Sequence, residues 1–231
     1  MWQALREELH PTGIEIVTVA LDAGGAEATR PYIEAAGGDH PSLIDPAHVC
    51  GDLLGIVNVP SSVWIDESGI IVRPAEPAWP GSTPVLDMLP ELTADLPPER
   101  KGVIDEIKRF HITPEITAEM LRDWAAHGAG SSFVLAPDEV INRSRARGLP
   151  EAIAAARFEL GHHLFELGDH DAAVVHWREA HRLDPANWTY KRQAWSLESS
   201  DTTGTLERYG TGWLESVREI GAEQYYPEIR P

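Results

Sequence analysis

The pattern of apolar and polar positions divides the chain into a mixed N-terminal part and a helical C-terminal part. Residues 14–21 are mostly apolar and β-branched, which is typical of a strand buried on both faces of a sheet. Residues 62–66 and 70–73 predict two more strands, and the acidic–glycine turn between them predicts a hairpin. Helices are predicted at residues 2–9, 27–36 and 48–54, so the predicted order is α-β-α-α-β-β.

A proline-rich stretch follows this first block. Seven prolines lie within residues 74–98, and each of them removes an amide donor and fixes the backbone. The pattern predicts a linker with a brief helix around Val85–Leu89. We therefore expect a first domain at 1–75, a proline-rich linker at 76–112 and a helical domain at 113–231.

Helical signals dominate the second block. Thr113-Pro114 is typical of an N-cap followed by proline at the first helical position, and it predicts a helix through Trp124 that stops near Gly128. Further helices are predicted at 137–147, from Pro150 onward, at 187–197 and at 206–220.

Residues 154–187 contain small residues, Gly161 and Ala173, and large ones, Leu164 and Trp177, at regular helical positions. This spacing resembles a tetratricopeptide (TPR) repeat, in which two paired helices need small residues where they cross. Gly161 and Ala173 are expected to allow close approach, Leu164 and Trp177 to fill the space between helices, and Pro185 to end the second helix. An ordinary helical hairpin is the alternative. One repeat cannot bury its apolar face alone, so the flanking helices are expected to act as partners and caps. The positions that carry the resemblance are Leu160, Gly161, Leu164, Gly168, Ala173, Trp177, Ala180 and Pro185.

Four segments of residues 1–75 form a recognisable series: Trp2-Gln3, residues 14–22, Ile44-Asp45 and the run from Leu54 to Gly69. In these segments the chain resembles the TlpA/ResA branch of the thioredoxin-like disulfide reductases. It implies an α/β thioredoxin-like domain that lacks the central first strand and the Cys-x-x-Cys pair. It also implies that Pro60 occupies the position of that family's cis-proline, beside which relatives hold an extended peptide.

The chemistry of that family needs two thiols. An attacking thiolate forms a mixed disulfide, and a resolving thiol three residues away releases it. Cys50 is the single cysteine of this chain, so it is only a weak catalytic candidate. His48 lies two positions away, a spacing that does not pair side chains on a helix. We therefore expect Cys50 to be buried and unreactive, although a one-cysteine peroxide sensor is an alternative.

A missing central strand would leave unpaired backbone groups on its two neighbours, residues 14–21 and 62–66. Three solutions are open. The neighbours pair directly in a reduced three-stranded sheet, a partner chain donates a strand in a homo-oligomer, or a longer protein has been cut. In the last case the chain is the truncated remainder of a thiol–disulfide oxidoreductase whose Cys-x-x-Cys lies upstream of Met1. We favour the reduced or partner-completed sheet.

The net charge and the absence of long apolar runs in the sequence exclude two classes of binding partner. The 231 residues carry a formal net charge of −18, which repels phosphate backbones, so we expect no nucleic-acid partner. The sequence contains no apolar run long enough to span a bilayer, and Met1 to His10 lack a signal-peptide pattern. We expect a cytoplasmic protein without a membrane partner.

Motifs for metals and cofactors are weak. Five histidines cluster in the second block, but no two have the three- or four-residue spacing of a helical metal pair, so no metal site is predicted. Gly24-Gly25 and residues 128–132 lack the lysine of a phosphate loop and are interpreted as turns. We expect no cofactor, and no nucleophile motif is present. The histidines, which we expect to be solvated or to line a groove, are His162, His163, His170, His176 and His181.

An aromatic and basic run at 187–195 predicts a peptide-binding face. On a helix, Trp188, Lys191, Arg192 and Trp195 lie on nearby turns and combine an apolar stripe with two cations, which suits a carboxylate-bearing peptide. The alternative is that both tryptophans pack against the repeat while Lys191 and Arg192 stay solvated. Together with Val59 and Pro60 from the family resemblance, these residues predict a non-catalytic protein that binds a protein or peptide partner.

Overall fold

The computed structural model describes residues 2–79, 98–198 and 206–230. This part of the chain is a mixed fold, 58% helical, with eleven α-helices and two small sheets. The mixture agrees with the predicted combination of an α/β part and a helical part. It does not by itself identify a thioredoxin-like or tetratricopeptide fold.

The helices and strands are numbered in chain order over the described residues. The first half contains α1 (Trp2–Leu9), β1 (Thr18–Ala20), α2 (Gly25–Ala36), β2 (Ser42–Ile44), α3 (Val49–Leu54), β3 (Ser61–Ile65) and β4 (Ile71–Pro77). The second half contains α4 (Pro98–Ile107), α5 (Pro114–His127), α6 (Pro137–Arg143), α7 (Leu149–Glu166), α8 (His170–Leu183), α9 (Trp188–Glu198), α10 (Leu206–Tyr209) and α11 (Trp213–Ile220).

The chain forms two compact units, and each is discontinuous in sequence. Unit 1 contains residues 1–16, 60–140 and 214–231, and unit 2 contains residues 17–59 and 141–213. Both units therefore draw on both sides of the proline-rich stretch. The linear domain boundaries at residues 75 and 113 stay a prediction.

The predicted hairpin is present in unit 1. Strands β3 and β4 are antiparallel, with Ser61 opposite Pro77 and Ile65 opposite Ile71. The Asp66 carboxylate accepts hydrogen bonds from the amides of Ser68 and Ile70, both at 2.9 Å, and so fixes the turn. The turn chemistry visible in the sequence is thus what joins the two strands.

The apolar core of unit 1 lies between α1, the hairpin and α5. Trp64 of β3 stacks on Trp124 of α5, with ring centroids 4.8 Å apart. Arg73 of β4 is only 1% exposed and donates to the Glu76 carboxylate at 2.7 Å and to the Phe133 carbonyl at 2.8 Å. The buried members of this core are Leu5, Leu9, Trp64, Ala118, Met120, Leu121 and Ile229.

Unit 2 contains the other sheet, a short parallel pair connected through α2. Thr18 pairs with Ser42 and Ala20 with Ile44, and the Thr18 hydroxyl donates to the Ser42 hydroxyl at 3.1 Å. The predicted strand at 14–21 is therefore too long. Ile14 and Ile16 pack instead against the core of unit 1, because the chain passes from one unit to the other between residues 16 and 17.

The predicted three-stranded sheet is not present in the described residues. Their four strands form two separate two-stranded sheets, β1–β2 and β3–β4, so the strand near residues 14–21 does not pair with the one at 62–66. The sequence did not indicate β2, a three-residue strand, and it supplies the partner that β1 uses. A sheet completed by a second copy of the chain stays a prediction.

Both described ends of the predicted linker have regular structure. Strand β4 runs on to Pro77, beyond the expected end at residue 73, and Ala78 is 1% exposed. Helix α4 covers Pro98–Ile107. The expected short helix at Val85–Leu89 lies outside the described residues. No helix in the described ranges is long and apolar enough to cross a bilayer.

Candidate functional site

Helices α7 and α8 form the antiparallel hairpin that the spacing of small residues predicts. Trp177, Ala173 and Ala180 of α8 are fully buried, and Leu164 of α7 is half-buried. The Asp169 carboxylate caps α8 by accepting from the Ala172 amide at 3.2 Å. Helix α8 ends at Leu183, two residues before Pro185.

Gly161 is the point of closest approach in this hairpin. A Cβ atom at this position would lie 2.6 Å from Cδ1 of Trp177 and 3.1 Å from the Ala173 carbonyl oxygen. The Trp177 indole also donates to the Phe158 carbonyl at 3.2 Å, which fixes the ring over α7. The glycine and the tryptophan thus depend on each other. This packing is that of a helical hairpin. Whether the hairpin is a tetratricopeptide repeat stays a prediction.

A cleft of about 420 Å³ lies beside the hairpin, within unit 2. One wall consists of two turns: Ala23-Gly24-Gly25 at the start of α2, and Pro46-Ala47 before α3. Gly25 has a positive φ of 63°, a conformation that glycine adopts without strain. The other wall is α7, which contributes Phe158, Glu159, His162, His163 and Glu166.

The α7 wall is a helical face with two carboxylates and two imidazoles. Glu159, His162, His163 and Glu166 are spaced by three, four and seven residues from the first, so they lie along one side of the helix. His162 Nε2 lies 3.9 Å from a Glu166 carboxylate oxygen. Such a wall offers acceptors and negative charge, and the chain as a whole carries −18. It is chemically suited to a cationic or hydrogen-bond-donating group.

Buried groups behind the cleft hold the Pro46-Ala47 turn in place. Asp45 is 9% exposed, and its carboxylate accepts from the amides of Val49 at 3.0 Å and Cys50 at 2.7 Å, capping α3. His48 is 1% exposed and has a positive φ of 58°. Its ring meets Phe158 edge-on at 5.0 Å, and burial lowers its pKa, so the ring stays neutral.

A second polar network connects α3 to α9 in unit 2. The Tyr190 hydroxyl donates to the Asp52 carboxylate, and Arg147 lies 3.6 Å from the same carboxylate. Burial raises the pKa values of both Tyr190 and Asp52. Arg145 pairs with the buried Asp184. The hydrogen bond between Tyr190 and Asp52 holds α9 against α3. None of the side chains in this network lines the cleft.

The predicted peptide-binding residues of α9 are largely buried. Trp188 is 2% exposed, Lys191 7% and Trp195 1%, while Arg192 is half-buried. The Lys191 ammonium lies 4.5 Å from the centre of the Trp188 ring, whereas Trp195 faces His181. The two tryptophans are thus packed, as the alternative interpretation expected, but that interpretation also expected Lys191 to be solvated, and Lys191 is buried beside Trp188. Their role in peptide binding stays a prediction.

The other predicted site residues fall in different places. Val59 lies in unit 2 and is 43% exposed. Pro60 is half-buried and is the first residue of the second segment of unit 1, and its carbonyl accepts a hydrogen bond from the Ala78 amide at 3.2 Å. Cys50 is half-buried, not fully buried as expected. Desolvation and the nearby Asp45 carboxylate raise the pKa of its thiol, which makes it a poorer nucleophile at neutral pH.

None of the residues predicted to bind a peptide lines the cleft. Sequence reasoning expected the five histidines of the second block to be solvated or to line a groove, and two of them, His162 and His163, line the cleft. It missed the neighbouring glutamates and the two turns opposite. Gly24-Gly25 and Pro46-Ala47 are separated from α7 by more than a hundred residues, and no local pattern indicates that they meet it. Within the described ranges, no group of three or more His, Cys, Asp or Glu side chains is arranged to hold a metal ion.

The chain matches no protein-family model, no curated protein and no solved structure at a significant level. The resemblances to TlpA/ResA-like reductases and to tetratricopeptide repeats therefore rest on the quoted sequence positions.

Proposed function

We propose that this chain is a non-catalytic protein that binds a protein or peptide partner, with thioredoxin-like and tetratricopeptide-like parts as its sequence resemblances imply. The observation that carries the proposal is the cleft on α7. Its acidic and imidazole-bearing wall faces two backbone turns across a space of about 420 Å³, which is enough for a peptide side chain. The proposal includes a cytoplasmic location.

The charges of the cleft favour a cationic side chain over a carboxylate. Glu159 and Glu166 are both exposed on the cleft wall, and acidic residues outnumber basic ones in the chain, 37 to 19. An arginine or lysine side chain entering the cleft would meet complementary charge, which steers encounter and discriminates against acidic ligands. We therefore place ligand binding at α7 in preference to the buried face of α9.

The state of Cys50 supports a binding role over a redox one. Dithiol exchange requires a second thiol and an accessible thiolate. The one thiol of this chain is half-buried and has a raised pKa. Cys50 therefore has a structural place at the start of α3, where its amide donates to Asp45.

Fluorescence anisotropy with two short labelled peptides tests the proposal. The probes are fluorescein-labelled Gly-Ser-Arg-Leu-Ser-Gly and its counterpart with glutamate in place of arginine. We expect the arginine peptide to bind and the glutamate peptide to bind at least about fivefold more weakly, because the wall is acidic.

The double variant Glu159→Gln/Glu166→Gln should weaken binding of the arginine peptide by about fivefold. The matched control, Glu67→Gln/Glu115→Gln, removes two exposed carboxylates from unit 1 and should leave binding unchanged. Equal binding of both peptides, or equal loss in both variants, would place the contact elsewhere and contradict the cleft as the site.

A further inference from the structure

Helix α7 has two apolar stripes on opposite faces. The first faces α8 and contains the buried residues Ala154, Phe158 and Gly161. The second faces solvent and continues to Leu167, the C-cap residue just after α7. Its large members are Leu149 at 73% exposure, Ile153 at 39%, Leu160 at 41% and Leu167 at 69%. A surface helix of a globular protein ordinarily has one apolar face, so the exposed stripe is unexplained by the fold of unit 2. The full outer stripe is Leu149, Ile153, Ala156, Leu160, His163 and Leu167.

The spacing of this outer stripe is that of a helix–helix seam. Its six positions follow one another at intervals of four, three, four, three and four residues. A repeat of 3.5 residues keeps one line of side chains facing a second helix along its whole length. The stripe extends over five helical turns, or about 27 Å at 1.5 Å per residue. An occupant of matching shape is therefore another helix.

The charged residues on either side of the stripe indicate which charge a helix bound there would carry. In a seam of this register, Ala152, Glu159 and Glu166 lie along one edge, and Pro150, Arg157 and Leu164 along the other. Arg157, which lies 2.9 Å from His176 Nδ1, is the one charged residue on its edge, whereas Glu159 and Glu166 place two carboxylates on the other. The edge with the larger charge is thus acidic.

A second copy of this chain does not fit that charge pattern. An antiparallel pair would set the glutamate edge against the same edge of the copy, and a parallel pair would set Glu159 opposite Leu164 and Ala152 opposite Arg157. Neither arrangement places a glutamate opposite an arginine, and each chain carries −18. Like charges facing each other disfavour association.

Residues 80–97 and 199–205 of the chain itself are no better matched by sequence. The first stretch carries Asp87, Glu91 and Asp95 with no lysine or arginine, and the second has no large apolar residue. Neither stretch supplies the positive charge that complements the acidic edge, and this favours a helix of another protein as the occupant.

We propose that the outer stripe of α7 binds an amphipathic helix of another protein, whose leucine-type residues repeat every 3.5 positions and whose flank carries Lys or Arg opposite Glu159 and Glu166. The inference rests on the proposed protein-binding function and names the partner's form. The basic flank of such a helix would run along the acidic wall of the cleft, since Glu159, His163 and Glu166 belong to both surfaces.

The test uses three fluorescein-labelled 21-residue peptides and the full chain. The basic probe is three repeats of Leu-Ala-Gln-Leu-Lys-Ala-Lys; the acidic probe replaces each lysine with glutamate; the scrambled probe has the composition of the basic one without its heptad order. We expect the basic probe to bind at micromolar concentration, with an affinity that falls as salt rises. The other two probes should bind at least about tenfold more weakly.

Two variants of the protein test whether the basic probe binds at the outer stripe. Leu160→Gln should weaken the basic probe by about tenfold, because it removes a central apolar contact of the seam. The matched control Leu53→Gln alters an equally aliphatic side chain that is 76% exposed on α3, and it should have no effect. Both positions are at the surface, and matching circular dichroism and thermal melts would show that both variants are folded.

Several results would overturn the inference. These are equal binding of the basic and scrambled probes, equal binding of the acidic probe, an unchanged affinity in Leu160→Gln, or a dimer in sedimentation that Leu160→Gln abolishes. The short arginine peptide separates the two proposals. If it binds while the 21-residue probe does not, the helical partner alone is wrong; if the short arginine peptide does not bind either, the proposed function fails too.

Discussion

The two compact units bury polar groups in different ways. Unit 1 places a full positive charge in its interior: Arg73, 1% exposed, donates to one carboxylate and to the Phe133 and Arg230 carbonyls. Unit 2 also has an ion pair on a buried group, Arg145 with Asp184, but it differs in surrounding two histidines with aromatic rings. His48 lies against Phe158 and Tyr190, and His181 against Trp195 and Tyr209.

The difference teaches how each unit should respond to its surroundings. A buried charge is tolerable when hydrogen bonds satisfy it, and removing one partner is then costly at any pH. A buried histidine without an anionic partner is tolerable when it is neutral, and its cost appears when the solution becomes acidic. Unit 1 should therefore be sensitive to mutation of its ion pair, and unit 2 to packing and to pH.

The largest expected effect is that of Arg73→Met in unit 1. Methionine preserves much of the side-chain volume but cannot donate the hydrogen bonds that Arg73 gives to the Glu76 carboxylate and to the Phe133 and Arg230 carbonyls. We expect a loss of about 3 kcal/mol in the free energy of unfolding. Urea titration followed by circular dichroism measures the loss, and hydrogen exchange should localise it to β3 and β4.

The matched control for that change is Arg122→Met. Arg122 is 52% exposed and forms a two-point pair with Glu8, so its loss should cost less than about 1 kcal/mol. Equal losses for the two variants would mean that the burial of Arg73 does not decide its contribution, and the contrast between the units would lose its basis.

Gly161→Ala is expected to have the next largest effect, in unit 2. The new methyl group would meet the Trp177 ring at 2.6 Å, which is closer than carbon atoms pack, so α7 and α8 must separate. We expect a loss of about 2 kcal/mol, measured by urea unfolding. In Gly130→Ala the added methyl meets nothing within 4 Å, and stability should be almost unchanged.

Acidification should destabilise unit 2 through its histidines. Burial lowers the pKa of His181 from 6.5 in the unfolded chain to about 3, and burial also lowers the pKa of His48. Between these pH values the unfolded state binds more protons than the folded one. The stability is therefore fully present above pH 6.5 and falls as the pH drops toward about 3, by at most about 1.4 kcal/mol per pH unit for each histidine.

Unfolding free energies measured from pH 7.5 to pH 5 test this dependence. His181→Leu should reduce the slope without abolishing it, since the leucine cannot take up a proton but His48 still can. His163→Gln alters an exposed histidine and should keep the slope of the unaltered protein. A slope that His181→Leu leaves intact would assign the pH dependence to other groups.

The smallest expected effect concerns Lys191. Its ammonium lies over the Trp188 ring at 4.5 Å and its stem is buried, so Lys191→Ala should cost about 1 kcal/mol. Arg192→Ala, on the half-buried neighbour, provides the comparison. A Lys191→Ala protein of unchanged stability that loses binding of a carboxylate-bearing peptide would restore the sequence-based prediction of a peptide site on α9.

Local patterns predicted more of this molecule than long-range ones. The β3–β4 hairpin follows from the turn at Asp66, and the α7–α8 pair follows from the spacing of Gly161, Ala173 and Trp177. The partner of β1 could not be predicted, because β2 is three residues long and carries no alternating pattern. Nothing in the local pattern indicated that Ile14 and Thr18 would belong to different units.

The candidate site shows the same limit. The helical wall was within reach of sequence reasoning, because spacing on one helix places Glu159 and His162 side by side. The turns that face it join α7 through contacts between residues far apart in the chain. On α9 the aromatic residues do lie on a helix, as predicted, but periodicity alone does not distinguish a buried stripe from an exposed one. The burial of Trp188 and Trp195 depends on contacts with other segments, which the local pattern does not contain.

The interleaving of the two units has a consequence for biosynthesis. Unit 1 contains residues 1–16 as well as 214–231, and Ile229 belongs to the same core as Leu5. During translation, Leu5 and Leu9 can reach their complete core only after residues 214–231 have been synthesised. Until then these side chains and Trp64 lack part of their cover, so the nascent chain exposes apolar surface of the kind that holding chaperones cover.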